Sequence, residues 1–174
     1  MAFYVSNVTT RFQAPTVADV LEGNKVLEKI KRKVVEFQYP VLNDPMELVG
    51  YCDASWAKTG NSGVSIGGFV WLIGNPKNNR FHVIGWRCRK PKRICHSNFA
   101  AETMIASDTL EELFGLRELW LSLVVTTPVT VLKTDCPPLH DHVVHRKQVT
   151  EKRLTVDLDT IAERLSLQEL SRFK

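Results

Sequence analysis

The sequence predicts an α/β fold with a mixed sheet. Three apolar, β-branched segments follow one another along the chain, at residues 47–53, 65–73 and 80–87. A long helical pattern then leads to a further strand and two more helices, at 97–124, 129–135, 138–146 and 151–168. The predicted order is therefore β-β-β-α-β-α-α, in which hairpin connections are followed by a helical crossover.

The first three strands are predicted to form an antiparallel meander, because short segments rich in turn-forming residues connect them. These segments read KTGNSG and GNPKNN. Gly67 and Gly68 lie inside the second strand, and they predict either a bulge or a close backbone approach.

The long helix is predicted to begin at a cap formed by Ser97 or Asn98 and to end before Thr127-Pro128. Gly115 interrupts its apolar pattern at a cost of about 1 kcal/mol relative to alanine, which predicts close packing at that point.

An amphipathic helix is also predicted upstream, at residues 16–35, with Thr16 as N-cap and Asp19 three residues later in a capping-box position. Two prolines and an Asn-Asp pair mark residues 38–46 as a linker.

Composition limits the class of protein. The 174 residues are 44% hydrophobic and 24% charged, as in ordinary globular domains, and the net charge of +4 permits nucleic-acid binding without requiring it. No apolar run approaches the roughly 20 residues of a membrane span, and no secretory signal is visible. Four cysteines lack metal-type spacing, so we expect reduced thiols in an intracellular protein, cytoplasmic or nuclear and not secreted.

Three acidic residues are candidates for one site. Asp53 ends the first strand, Asp135 ends the fourth, and Glu102 lies in the first turns of the long helix. A fourth strand beside the first would bring all three carboxylates together, and such oxygen-only ligands favour Mg²⁺ or Mn²⁺ over zinc. Two such ions roughly 4 Å apart activate water for attack on a phosphodiester. Spacing alone leaves open that the three acids have separate roles: Asp53 in a turn, Glu102 on an exposed helix surface and Asp135 at a strand end.

A basic stretch, RCRKPKR at residues 87–93, lies between the third strand and the long helix. Its five basic residues are candidates for phosphate contacts: Arg87, Arg89, Lys90, Lys92 and Arg93. A nuclear-import signal or a solvated loop are the alternatives. Trp56 follows the first strand and is a candidate for stacking on nucleic acid, with core packing as its alternative.

Three histidines lie near the predicted short helix, at His140, His142 and His145. Their offsets do not place all three on one helix face, so no three-histidine metal site is expected.

Several segments resemble, in order, the ribonuclease H region of copia-type retrotransposon Pol polyproteins. They are TRFQAPTVADVLEGNKVLEKIK, GYCDASWA, SGVSIGGFVWLIG, VIGWRCRKPKRICHSNFAAETMIASD, VLKTDCPPLHDHV and VTEKRLTVDLDTI, and together they span roughly residues 9 to 170. The first resembles the segment that joins reverse transcriptase to ribonuclease H.

The resemblance implies a ribonuclease H fold at residues 47–174, preceded at 1–46 by a helical connection segment and linker. It implies cleavage of the RNA strand in RNA–DNA hybrids, two Mg²⁺ or Mn²⁺ ions, and the reverse transcriptase portion of the polyprotein as partner. Asp53, Glu102 and Asp135 match three of the family's acidic metal ligands.

The resemblance also implies a gap. The family's fourth acid lies on a helix that follows one more strand, and this sequence ends at Arg172-Phe173-Lys174. We therefore expect a C-terminally truncated domain without the last strand, the last helix and the fourth carboxylate.

Asp157 is a candidate replacement as metal ligand; alternatively it is a helix-surface acid near Lys152 or Arg153. Asp108 also matches the family pattern but lies six residues from Glu102, on another helix face. The second hypothesis is therefore a catalytically dead retroelement remnant that acts at most as a nucleic-acid-binding or structural module.

Overall fold

The computed structural model describes residues 14–32, 36–56, 65–91, 93–124 and 126–174. The helices are α1 (Val17–Arg32), α2 (Asn98–Leu123), α3 (Pro137–His145) and α4 (Thr155–Ser166), the last preceded by a 3₁₀ turn at Lys152–Leu154. The strands are β1 (Glu47–Ser55), β2 (Ile66–Asn75), β3 (Arg80–Arg89), β4 (Val129–Thr134) and β5 (Arg172–Phe173). No helix in these ranges is long and apolar enough to cross a membrane.

The five strands form one mixed sheet in the order β3-β2-β1-β4-β5. The β1–β2 and β2–β3 pairs are antiparallel, whereas β4 lies parallel to β1 and β5 parallel to β4. The α/β fold with a meander and a helical crossover is therefore confirmed. In the β1–β4 register Cys52 is opposite Thr134, so the next residues of the two strands, Asp53 and Asp135, are neighbours.

The expectation that the last strand is missing is wrong. Arg172 and Phe173 pair with Val131 and Leu132 of β4, and the Lys174 N–H donates to the Leu132 carbonyl at 3.0 Å. The side chain of Phe173 is buried in the core. Burial of this ring and pairing of the open β4 edge explain why so short a segment joins the sheet.

The hydrophobic core lies on one face of the sheet, where α2 packs across β1, β2 and β4 and also contacts α3 and α4. Its largest fully buried side chains come from both layers; they are Leu48, Ile105, Leu113, Leu132, Leu139, Leu154, Ile161 and Leu170. This packing fixes the position of α2 over the sheet.

Both predicted helix starts are confirmed. The Ser97 hydroxyl accepts a hydrogen bond from the Ala100 N–H at 3.0 Å and caps α2. Thr16 and Asp19 bond reciprocally at the start of α1: the Thr16 N–H donates to the carboxylate at 2.9 Å, and the Asp19 N–H donates to the hydroxyl at 3.3 Å.

The segment before β1 is attached to the sheet. The Tyr39 hydroxyl donates to the Val83 carbonyl at 2.9 Å, and the Asn75 side-chain amide donates to the Asn43 carbonyl at 2.7 Å. Residues around the predicted linker therefore lie against β2 and β3.

The glycine predictions have mixed outcomes. A Cβ atom at Gly67 would lie 2.0 Å from Cγ1 of Ile105, so this glycine permits the predicted close approach of α2 to β2. The irregularity in the sheet lies elsewhere, between Trp71 and Leu72 of β2. Close packing at Gly115 is wrong, because a Cβ there would meet nothing within 4 Å.

Substitution Gly67→Ala is predicted to destabilise the fold by about 1–3 kcal/mol, because the new methyl group overlaps Ile105 and pushes α2 from the sheet. Chemical denaturation measures the change. Gly68→Ala is the matched control, since its Cβ would meet no atom nearer than the Arg87 carbonyl at 3.7 Å. Equal stabilities of the two variants would contradict the predicted close contact.

Candidate functional site

Three carboxylates meet at the end of the sheet where β1 and β4 terminate. Carboxylate oxygens of Asp53, Glu102 and Asp135 all lie within 4.8 Å of one another. The parallel pairing of β1 and β4 supplies the two aspartates, which are exposed. The second turn of α2 supplies Glu102, whose residue surface is only 3% exposed. The structure thus brings together the three acids that the sequence singles out.

The environment of Glu102 disfavours its charged form. Burial raises the pKa of its carboxyl group from 4.5 to about 7; a hydrogen bond from the Ala54 backbone lowers the pKa, and the charges of Asp53 and Asp135 raise it. The Oε2 atom of Glu102 is buried and has no hydrogen-bond partner among the described residues. A cation between the carboxylates would satisfy that oxygen and offset the repulsion.

The donor set fits a hard cation. The two nearest thiols, Cys52 and Cys136, are free. Burial is the main cause that raises the pKa of Cys52 to about 12, and it also raises the pKa of Cys136, so both remain protonated near neutral pH. Carboxylate oxygens are therefore the available anionic ligands, and such ligands suit Mg²⁺ or Mn²⁺.

A groove of about 810 Å³ opens beside the two exposed aspartates, on the sheet face opposite the core. Aromatic and basic side chains line it together with Asp53 and Asp135; they are Tyr51, Trp86, Lys133 and Lys174. The Lys133 ammonium lies 4.8 Å from the Tyr51 ring centroid and donates to the Tyr51 hydroxyl at 2.8 Å. Aromatic rings beside cations are typical of nucleic-acid grooves.

The sequence analysis missed this groove because its residues are far apart in the chain. The available signal is the period of the strands: Tyr51 and Lys133 each precede a site aspartate by two residues and so share its sheet face.

Asp157 is not brought to the three carboxylates. It forms an ion pair with Arg93 instead, on the flank of α2 that also carries Asp108. Arg153, one of the two basic residues that the sequence placed near Asp157, pairs with Glu151 instead. The reason is the position of α4, which presents Asp157 to the loop before α2 rather than to the strand ends.

The basic stretch is largely used within the fold. Arg87 pairs with Glu112, Arg89 pairs with Asp108 at 2.7 Å, and Arg93 pairs with Asp157. Lys92 lies outside the described residues. These three arginines join β3 and the following loop to α2 and α4. Phosphate contacts by this stretch stay a prediction; the side chains of Arg87 and Arg89 lie on the α2 side of the sheet, where they pair with Glu112 and Asp108.

Trp56 lies in the environment expected for a core residue. Its ring is partly buried against the hydrophobic core, and its indole N–H donates to the Cys95 carbonyl at 3.2 Å. Trp86 is more accessible: this residue is 56% exposed and lines the groove.

The three histidines separate into two environments. The His142 ring packs against Phe99 at 5.1 Å, whereas His140 and His145 form a cluster with Asp141. The sequence analysis missed this cluster because it considered histidines alone. The signal was the four-residue spacing of Asp141 and His145, which share one helix face.

The solved structures similar to this fold include ribonuclease H1 proteins. LC11-RNase H1 in complex with an RNA/DNA hybrid has a TM-score of 0.50 and 17% identity, covering 73% of this chain and 81% of that chain. RNase H1 from Halobacterium salinarum has a TM-score of 0.49 and 13% identity, and the match covers 73% of this chain and 81% of that chain. The N-terminal RNase H domain of a Mycobacterium tuberculosis protein has a TM-score of 0.47 and 18% identity, and the match covers 74% of this chain and 79% of that chain.

No protein-family model and no curated protein matches the sequence. At these identities the likeness establishes the fold alone: a mixed α/β fold of the ribonuclease H type.

The raised pKa of Glu102 predicts a pH dependence of stability. Between about pH 4.5 and 7 the folded protein holds this proton and the unfolded chain releases it, so the free energy of unfolding falls as pH rises through that window. Glu102→Gln is predicted to flatten the fall and to stabilise the protein at pH 8. Chemical denaturation over this pH range, in a buffer with a chelator that removes divalent cations, measures the pH dependence and the stability at pH 8. Glu118→Gln, on the exposed surface of α2, is the control. A fall as steep in Glu102→Gln as in the native protein would contradict the assignment.

The Arg89–Asp108 pair is predicted to stabilise the contact of β3 with α2. Arg89→Ala leaves the Asp108 carboxylate, whose side chain is 9% exposed, without this partner, and should cost roughly 2 kcal/mol. Denaturation measures this loss. Lys90→Ala, at the next residue, should change stability by no more than about 0.5 kcal/mol. Equal effects of the two substitutions would show that the pair contributes little.

Proposed function

We propose that this chain is the ribonuclease H region of a copia-type retroelement polyprotein and hydrolyses the RNA strand of RNA–DNA hybrids with two Mg²⁺ or Mn²⁺ ions. The observation that carries the proposal is the meeting of Asp53, Glu102 and Asp135 within 4.8 Å at the ends of two parallel strands. The orphaned buried oxygen of Glu102 supports a cation at that position.

The substrate class has separate support. The groove beside the aspartates combines cations with exposed aromatic rings, and the similar LC11-RNase H1 structure is a complex with an RNA/DNA hybrid. The ordered motifs around the three acids support the copia-type origin. In that setting residues 1–46 are the connection segment, 47–174 are the ribonuclease H-like domain, and the reverse transcriptase portion of the polyprotein is the partner.

The residues have distinct tasks in the proposed reaction. Asp53, Glu102 and Asp135 would hold the ions, which when bound activate water and stabilise the departing oxygen. Glu102 gives up its proton when a cation enters, because its pKa is raised only by burial and neighbouring negative charge. Lys133 and Lys174 attract the phosphate backbone, and the rings of Tyr51 and Trp86 offer stacking surfaces for bases or sugars.

The second candidate is a remnant that binds nucleic acid without cleaving it. The carboxylate group at the strand ends has three members among the described residues, and Asp157, the candidate fourth member, is paired elsewhere. In this case the groove would bind a hybrid through its basic side chains and aromatic rings, and the three acids would not support cleavage.

Cleavage of a hybrid with a labelled RNA strand is the direct test, in Mg²⁺ and then in Mn²⁺. We expect the native chain to cleave, and Asp53→Asn and Asp135→Asn each to lose roughly 100-fold or more of the rate, because each removes one metal-binding charge. Asp159→Asn is the control, since this exposed acid of α4 pairs with Arg146 at 3.9 Å.

Two other results would reject the nuclease proposal. Undiminished cleavage by Asp53→Asn would point to a contaminating nuclease. A folded native chain that binds the hybrid in a filter assay but does not cleave it would establish the second candidate.

A further inference from the structure

We propose a second metal site, on α3, in which His140, Asp141 and His145 bind Zn²⁺ or a similar transition-metal ion. It is separate from the three-carboxylate site and does not depend on the proposed nuclease function. One ligand atom from each of the three side chains lies within 4.8 Å of the other two.

The helix explains why these three side chains converge. Asp141 and His145 are four residues apart and therefore share one face of α3, and His140 flanks them by one position. The imidazole rings of His140 and His145 have centroids 6.2 Å apart and an interplanar angle of 73°. Tetrahedral zinc with bonds of about 2.0–2.1 Å needs ligand atoms roughly 3.4 Å apart, so atoms that lie within 4.8 Å of one another need to close by at most about 1.4 Å.

The surroundings allow that movement and give the site one fixed member. The His140 ring stacks on Phe173 at a centroid distance of 5.9 Å, and Phe173 is buried in the core. His145 is exposed and can rotate towards His140 without disturbing packed side chains. His145 is also the last residue of α3, where the partial negative charge of the helix C-terminus favours a bound cation.

The position already attracts a cation. The Lys147 ammonium donates to one oxygen of the Asp141 carboxylate and so competes with a metal ion for the negative charge of Asp141. The Lys147 side chain is 57% exposed and can turn to solvent. Lys147 is therefore a competitor of the metal, which makes a variant with increased affinity possible.

The ligand chemistry selects the ion. Two imidazoles and one carboxylate suit Zn²⁺, Co²⁺ or Ni²⁺, and three protein ligands leave a fourth position for water. The Asp53, Glu102 and Asp135 group offers oxygen alone and suits Mg²⁺. Excess Mg²⁺ therefore fills that group while leaving the α3 site to the softer ion.

Titration of the full chain with Co²⁺ in excess Mg²⁺ tests the proposal, with visible ligand-field absorption as the readout and Zn²⁺ as competitor. We expect the native chain to bind Co²⁺ and Zn²⁺ to abolish the absorption. His145→Gln should lower the affinity by about 10-fold or more, and Lys147→Gln should raise it several-fold, on the order of 3- to 10-fold.

His96→Gln is the histidine control, because His96 is exposed and lies outside the cluster; the affinity of this variant should equal that of the native chain. Absence of ligand-field absorption in the native chain would overturn the proposal, as would unchanged affinity in His145→Gln. Intense thiolate-to-metal absorption that Cys88→Ser and Cys95→Ser remove would assign binding to cysteines and overturn it as well.

Discussion

The parallel pairing of β1 with β4 is the constraint on which the candidate site depends. It places Asp53 beside Asp135 at one edge of the sheet, and α2 then brings Glu102 to the same place. Three carboxylates in contact repel one another, and burial of Glu102 adds a cost of desolvation. A fold that maintains this arrangement is suited to hold cations there. The negative charge that the fold concentrates at these three carboxylates therefore determines what the site can bind.

The position of α2 depends on two further interactions. Gly67 has no side chain where Ile105 packs, so α2 can lie directly on β2. The Arg89–Asp108 pair joins the same helix to β3 at 2.7 Å. Basic residues that the sequence suggests for phosphate binding thus also stabilise the helix that carries Glu102. The groove on the other sheet face has its own cations, Lys133 and Lys174, beside exposed aromatic rings.

Local patterns predicted much of the fold. Alternating apolar residues, turn segments and helix caps at Thr16 and Ser97 depend on neighbours in the chain, and these predictions are confirmed. Strand β5 was missed because two residues are too few to show an alternating apolar pattern. Its formation depends on burial of Phe173 and on the free edge of β4. The pairing of Asp157 with Arg93 was missed because it depends on how α4 packs, which spacing does not specify. The three acids were identified because each lies at a strand end or in an early turn of a helix.

Direct observation of a bound cation tests the central claim, that Asp53, Glu102 and Asp135 form one metal site. In a ¹⁵N-labelled sample, addition of trace Mn²⁺ should broaden the amide signals of residues around Asp53 and Asp135 first. Excess Mg²⁺ should restore those signals, and Glu102→Gln should weaken the broadening. Broadening centred elsewhere in the chain, or none at Mn²⁺ concentrations that support catalysis in known metal-dependent nucleases, would contradict the claim.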